Sequence, residues 1–113
     1  MPIRREISAS PPAAIEQALA KLGRNIRTAR LRRRIHQSEL ARRMGVSRFV
    51  VANVEKGLPT TGITAYLGAL WALGLLGDLA VVADPDRDEE GKTLEQSRAP
   101  KKAGKPRTLS DEF

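Results

Sequence analysis

The stretch "SELARRMGVSRFVVANVEKG", residues 38–57, carries arginines that lie outside a helical register of apolar residues. Arg42, Arg43 and Arg48 are among them, and Gly45 interrupts the apolar pattern. A guanidinium group has five N–H donors and a permanent charge, so it binds phosphate well. These residue types therefore predict binding of an anion.

Catalytic chemistry finds no support in the sequence. Ser38 and Ser47 lack a partnered base, and neither paired carboxylates nor a phosphate-cradling glycine loop is present. His36 is the only histidine and the chain has no cysteine, so we assign His36 to a loop or a cap and expect no metal site. We predict that the protein is not an enzyme and uses no cofactor.

The positive charge lies in the first part of the chain. Net charge is +7, with 13 basic and 5 acidic residues before Ala83 and 7 basic and 8 acidic residues after it. A strongly basic body predicts a polyanionic partner, either nucleic acid or an anionic membrane surface. The chain is long enough for one domain. The chain has no cysteine, and no apolar run follows its N-terminal cations, so we expect a cytoplasmic protein.

Residues 61–83 are nearly uncharged and long enough to raise the question of a membrane span. Asp78 lies inside this segment, and four glycines interrupt it. We therefore predict a short helix, a break and a second short element, with a membrane helix as the lesser alternative. For residues 75–82 a helix is favoured over a strand.

The first predicted helix begins at residues 10–12, "SPP". Ser10 suits the cap, Pro11 suits the first helical position, and Glu16 lies where the helix dipole favours an acid. We expect this helix to end near Arg33. Its apolar stripe, expected to face the core, is formed by Ile15, Ala18, Leu19, Leu22, Ile26 and Ala29.

Three further helices are predicted. The second spans residues 37–44 and ends at Gly45, while the third follows Ser47 as its cap and runs to about Lys56. The expected core residues of the last three helices are Leu40, Ala41, Met44, Val51, Val54, Ile63, Tyr66, Leu67, Leu70 and Leu73. Two short helices joined by a tight glycine turn form a helix-turn-helix, whose second helix fits a DNA major groove about 12 Å wide. The surrounding cations are then phosphate contacts.

A set of residues at fixed spacing resembles the pattern of Xre-type domains, the Cro and phage-repressor class of helix-turn-helix proteins. These residues are Ile26, Arg30, Gln37, Glu39, Leu40, Ala41, Gly45, Val46, Ser47, Glu55 and Gly57. The resemblance implies an all-α, lambda-repressor-like fold of four to five helices. The residues after Gly57 are similar, more loosely, to antitoxins of the HipB type, which implies a HipA-like kinase toxin as partner.

The resemblance also implies roles for individual residues. Arg48, Phe49 and Asn53 would read bases, with Arg48 suited to guanine, Asn53 to adenine or phosphate, and Phe49 to a thymine methyl or a wedge. Phosphate contacts would come from Gln37, Ser47, Arg34, Arg43 and Lys56. Arg30 and Glu55 would form a structural ion pair that ties the first helix to the third.

Two residues depart from the family pattern. Arg34 stands where glycine or asparagine is common, and His36 stands where serine or threonine is common. We therefore expect the first helix to extend slightly, or His36 to cap the second helix imperfectly.

The fourth helix is apolar on nearly all sides. Beside its core stripe lies Trp71, and the opposite side carries small residues such as Ala65, Ala69 and Ala72. A helix of this kind must be buried nearly all round, which predicts a homodimer. The interface residues would be Leu67, Trp71, Leu75, Leu79 and Val82. The alternative is a monomer with Trp71 buried in its core.

We divide the chain into a flexible basic arm, residues 1–9, a DNA-binding and dimerisation domain, residues 10–83, and a largely disordered tail, residues 84–113. Residues 92–98 are expected to form a transient helix. The tail is either an inert terminus or a segment that orders on a toxin, with Leu109 and Phe113 as anchors. The run "RTARLRRR", residues 27–34, is either a solvated helix face or, as we favour, a source of phosphate contacts.

Taken together, the residues and the resemblance predict a dimeric repressor that binds a palindromic operator in double-stranded DNA, as the antitoxin of a toxin–antitoxin operon that it regulates. One alternative is a stand-alone phage-type repressor without a toxin. Another is a protein-bridging module whose affinity for DNA is only nonspecific.

Overall fold

The computed structural model describes residues 6–98, and within them the chain is all-helical, with six helices and no strand. The α-helices are α1 (Ala13–Arg32), α2 (Gln37–Met44), α3 (Arg48–Glu55), α4 (Ile63–Ala72) and α5 (Glu89–Arg98), and a 3-10 helix (Leu76–Val81) lies between the last two. The described residues form two compact units that divide after Asp78. Across residues 6–98, every helix is too short or too polar to cross a membrane. Most of the predicted arm, residues 1–5, lies outside the described part.

The start of α1 differs from the prediction. Pro12 occupies the N-cap and Ala13 is the first helical residue, so Ser10 is not the cap and Pro11 is not the first position. The reason is a preceding turn, in which the Ala9 and Ser10 amides both donate to the Glu6 carbonyl oxygen at 3.0 and 3.1 Å. Of the predicted stripe on α1, Ile26 and Ala29 are buried, Leu19 and Leu22 are half-buried, and Ile15 and Ala18 are exposed.

The end of α1 near Arg33 is confirmed, and of the two alternatives expected from Arg34 and His36 the extension of this helix is not observed. The helix stops at Arg32, and Arg34 takes the left-handed conformation itself, with φ of 53°. The Arg34 amide donates to the Leu31 carbonyl oxygen at 3.0 Å, which closes the helix in the absence of a glycine. His36 then stands at the N-cap of α2 without a side-chain hydrogen bond to the helix, which agrees with imperfect capping.

The bounds of α2 agree with the prediction. Gly45 ends it in the left-handed region, with φ of 70°, and the Val46 amide donates to the Ala41 carbonyl oxygen at 3.0 Å. Ser47 occupies the N-cap of α3 in an extended conformation. Its hydroxyl makes no capping hydrogen bond to the described helix, so Ser47 has the predicted position without the predicted bond.

The core lies where α1, α2, α3 and α4 meet. Its buried residues are Ile26, Ala29, Leu40, Ala41, Val51, Val54, Tyr66, Ala69 and Leu73. The Tyr66 hydroxyl donates to the Leu58 carbonyl oxygen at 2.8 Å, and burial raises the pKa of this tyrosine. Ile63 was expected to face the core and is 69% exposed, whereas Ala69 was expected on the opposite side and is fully buried. The face of α4 is therefore rotated from the predicted one.

Gly23 allows α1 to approach the end of α3 closely. A Cβ atom at this position would lie 2.6 Å from the carbonyl oxygens of Val54 and Glu55 and 2.8 Å from the amide nitrogen of Gly57. All three atoms belong to the backbone, which cannot rotate away as a side chain does. Only a glycine at this point of α1 allows the two helices to pack at this distance.

The boundary between the two units falls within the 3-10 helix, and α5 belongs to the second unit. Residues 75–82 include the 3-10 helix and no strand, in line with the favoured helix. Asp88 accepts a hydrogen bond from the Gly91 amide at 2.9 Å, and α5 begins at Glu89, earlier than the transient helix expected at residues 92–98. All residues of α5 are exposed or half-buried. Leu109 and Phe113 lie outside the described residues.

Candidate nucleic-acid interface

Arg30 on α1 and Glu55 on α3 form a buried, bidentate ion pair. Arg30 Nε lies 2.6 Å from Glu55 Oε2, and Arg30 Nη2 donates to Glu55 Oε1 at 3.0 Å. Arg30 Nη1 donates to the Ile35 carbonyl oxygen at 2.9 Å, and both residues are less than a tenth exposed. The pair therefore fixes the ends of α1 and α3 and the loop before α2 relative to one another.

Gln37 extends this ion pair to the surface. Its amide nitrogen donates to Glu55 Oε1 at 3.0 Å, and its amide oxygen accepts from Arg48 Nη1 at 3.3 Å. A residue expected to hold a phosphate thus connects the buried carboxylate with the first residue of α3. The sequence did not predict this link, because it joins a residue of α2 to both ends of α3.

Arg48 and Phe49 are exposed at the first two positions of α3. The guanidinium carbon of Arg48 lies 5.4 Å from the centre of the Phe49 ring, a cation–π distance. Phe49 is 70% exposed. The start of α3 therefore presents a cation and an aromatic ring side by side, with the cation held by Gln37.

Asn53 lies one helical turn after Phe49. Residues four apart share a face of a helix, so Asn53 continues the surface that Phe49 begins. Asn53 is half-buried, and its backbone carbonyl oxygen accepts from the Leu58 amide at 3.2 Å. Lys56 follows three residues later and is exposed. The structure thus places the three predicted base-reading residues on α3, with Lys56 just after its last residue.

The predicted phosphate-binding residues differ in whether a carboxylate already pairs with their charge. Arg34 and Lys56 are exposed and have no ion-pair partner within the described residues. Arg43 Nε instead lies 3.1 Å from Glu39 Oε1, and Arg42 donates to both oxygens of the same carboxylate at 2.7 and 3.0 Å. Hydrogen bonds from Arg42, and then from Arg43, lower the pKa of Glu39 to about 2. This acid therefore offsets part of the positive charge of α2.

The run of arginines at residues 27–34 is mostly on the surface. Arg27, Arg32 and Arg33 are exposed, and Arg33 Nη1 donates to the Ala29 carbonyl oxygen at 2.9 Å. Arg30 is the buried exception and belongs to the ion pair with Glu55. Together with Arg34, the exposed members make the end of α1 strongly cationic.

The proposed dimer residues of the first unit lie on α4 and just after it. Trp71 is 63% exposed, whereas Leu67 and Leu75 are half-buried. The alternative of a tryptophan buried in a monomeric core is therefore wrong. Ile63, Leu67 and Trp71 are spaced by four residues and share one face of α4. In the second unit, Leu79 and Val82 are both exposed.

The acidic residues at the start of the second unit bind backbone groups. Asp84 Oδ1 accepts from the Asp86 amide at 3.0 Å, and Asp88 Oδ1 accepts from the Gly91 amide. Within residues 6–98, no group of three or more histidine, cysteine, aspartate or glutamate residues has the arrangement of a metal site.

No protein-family model, curated protein or solved structure matches the chain.

Proposed function

We propose that the protein is a sequence-specific DNA-binding repressor that reads bases with the start of α3. The observation that carries this proposal is the chain of contacts from the buried Arg30–Glu55 pair through Gln37 to Arg48. Such a chain orients an exposed guanidinium before any ligand arrives. A pre-oriented arginine suits bidentate recognition of guanine, which is the commonest specific contact between protein and DNA.

Phosphate binding accounts for the remaining positive charge. Exposed cations at the end of α1, at Arg34 and at Lys56 flank α2 and α3. Contacts of this kind position a protein on the duplex and provide most of its nonspecific affinity. We propose that these residues hold the backbone while Arg48, Phe49 and Asn53 face the base edges in an Xre-type arrangement.

Dimerisation would complete the binding site. Ile63 and Trp71 are exposed on α4, and the half-buried Leu67 lies between them on the same apolar face, which is the surface we propose for contact with a second copy. A two-fold dimer would place two α3 helices in successive major grooves, about 34 Å apart, and would therefore bind a palindromic operator.

The antitoxin role is the more specific form of the proposal. It places the protein in the cytoplasm as the partner of a HipA-like kinase, and it rests on the resemblance of the residues after Gly57. Co-purification of a kinase from cells that express the tagged chain would support it, whereas a lone dimer bound to its operator would favour the stand-alone repressor.

Replacing Arg48 with alanine should remove sequence preference without unfolding the protein. We expect a loss of about 1–3 kcal/mol for the preferred site and little change for scrambled DNA, because Arg48 would contact a base. The measurement is binding to the DNA upstream of the gene and to scrambled DNA at two salt concentrations.

Arg34→Ala is the matched control for a phosphate contact. It should weaken binding to all sequences alike. It should also reduce the slope of the logarithm of the binding constant against the logarithm of the salt concentration by about 1. If wild type and Arg48→Ala bind both DNAs equally, α3 does not read bases, and the protein-bridging module becomes the better proposal.

Replacing Trp71 with alanine should convert the dimer to a monomer. A tryptophan that is exposed in the single chain and becomes buried at the centre of an interface contributes about 2 kcal/mol or more to association. Sedimentation equilibrium should show the wild type as a dimer and Trp71→Ala as a monomer at the same concentration. Leu94→Ala, which truncates an exposed apolar side chain on α5, is the control. A monomeric wild type, or a Trp71→Ala dimer, would reject this interface.

A further inference from the structure

Phe49 is the most exposed large apolar residue of the described chain. It lies on the part of α3 that the proposed function directs towards DNA, next to Arg48. A phenyl ring has no hydrogen-bonding group, so it satisfies neither a phosphate oxygen nor the polar edge of a base. If Phe49 faces the base edges of the major groove, as the proposed function has it, the group that it contacts there is an apolar one.

The major groove offers one apolar group on its base edges, the methyl at C5 of a pyrimidine. We infer that Phe49 contacts this methyl group while Arg48 binds the adjacent guanine, so that α3 reads a C5-methylpyrimidine–guanine step. This inference rests on the proposed function and specifies the DNA sequence that the same site recognises.

The two side chains lie close enough together for contact with neighbouring bases. The guanidinium carbon of Arg48 lies 5.4 Å from the centre of the Phe49 ring, and stacked bases in a strand are about 3.4 Å apart. Gln37 accepts from Nη1 of Arg48, which leaves the edge formed by Nε and Nη2 for O6 and N7 of guanine. One base step thus brings a guanine to the guanidinium and a methyl group to the ring.

Two bases carry this methyl group at the same place. Thymine has it permanently, and 5-methylcytosine acquires it by enzymatic methylation of cytosine. The inferred contact is the same for both, so methylation of a cytosine before the guanine would increase binding. The protein would then sense the methylation state of its site.

The test uses the highest-affinity duplex selected from a random-sequence pool. The pyrimidine next to the selected guanine is made thymine or uracil in one pair of probes, and cytosine or 5-methylcytosine in another. Each pair differs by one methyl group only. We expect the methylated member to bind about fourfold more tightly in both pairs, as burial of one methyl group predicts.

Variants of Phe49 connect the effect to the ring. Phe49→Ala should abolish the difference in both pairs, and Phe49→Leu should retain part of it. Leu94→Ala removes an exposed apolar side chain on α5 and should leave both ratios unchanged. Since Phe49 is exposed, thermal melting of all three variants should match the wild type.

Several outcomes would overturn the inference. Equal affinities of wild type within both pairs would show that the methyl group is not read, and ratios that persist in Phe49→Ala would show that another residue reads it. A selected site without a pyrimidine next to guanine would also reject it. In each of these cases the sequence preference itself supports the proposed function. Selection of no preferred sequence would instead reject both.

Discussion

Replacing Gly23 with alanine should destabilise the protein by about 3 kcal/mol or more. The added Cβ would lie 2.6 Å from the carbonyl oxygens of Val54 and Glu55, closer than a carbon and an oxygen tolerate. Because both atoms belong to the backbone, α1 must move away from α3, and the buried residues between them lose contact. Thermal unfolding should show a melting temperature lower by about 12 °C or more.

Gly68→Ala is the matched control, because Gly68 also lies in the middle of a helix. A Cβ there would lie 3.4 Å from Cε of Met44, an ordinary contact with a flexible side chain. Alanine favours a helix over glycine by about 0.5–1 kcal/mol, so this variant should be slightly more stable than the wild type. Equal stabilisation by both substitutions would contradict the close approach at Gly23.

Replacing Glu55 with alanine should cost about 3–5 kcal/mol of unfolding free energy. The substitution leaves the buried guanidinium of Arg30 with the Ile35 carbonyl oxygen as its remaining acceptor. It also removes the acceptor of the Gln37 amide. An unpaired buried charge is the main source of the loss, since removing one partner of a buried pair costs more than the pair contributes.

Chemical denaturation of two further variants tests this explanation. Glu39→Ala also removes a carboxylate paired with arginines, but at the exposed pair on α2, so its effect should be much smaller. The double substitution Arg30→Met with Glu55→Leu removes both buried charges and should recover part of the stability lost in Glu55→Ala. A loss in Glu39→Ala equal to that in Glu55→Ala would show that burial is not the cause.

Local rules were sufficient to predict α2 and the turn that follows it. The apolar spacing gave the bounds of α2, and Gly45 takes the left-handed conformation that a glycine in this place predicts. The left-handed backbone of Arg34 was harder to predict, because no local rule requires an arginine to take that conformation. The turn at Arg34 is followed by a tertiary contact, in which the Ile35 carbonyl oxygen accepts from Arg30.

The orientation of α4 could not be derived from periodicity. A helix with apolar residues on most sides has no polar face to mark solvent, so Ile63 and Ala69 were assigned to the wrong sides. Their placement depends on which side of α4 meets α2 and α3, a property of the whole fold. The close packing at Gly23 was not predictable either, since a glycine inside a helix approaches backbone atoms closely at Gly23 and makes only an ordinary contact at Gly68.

The candidate site could also be predicted only in part. The residue types and the resemblance placed Arg48, Phe49 and Asn53 on one helix and paired Arg30 with Glu55. The role of Gln37 was not derivable, because its two hydrogen bonds join the end of α3 to its start through a residue of α2. Such a link becomes visible only when α2 and α3 are packed against each other.

The left-handed backbone of Arg34 also affects how this protein can evolve. An L-residue in that conformation costs about 1–2 kcal/mol relative to a relaxed one, and glycine avoids most of this cost. A glycine here would strengthen the corner between α1 and α2 but would remove an exposed cation from the proposed phosphate-binding surface. If Arg34 binds phosphate as proposed, heat resistance and affinity for polyanions would compete at this single position, and selection for one would reduce the other.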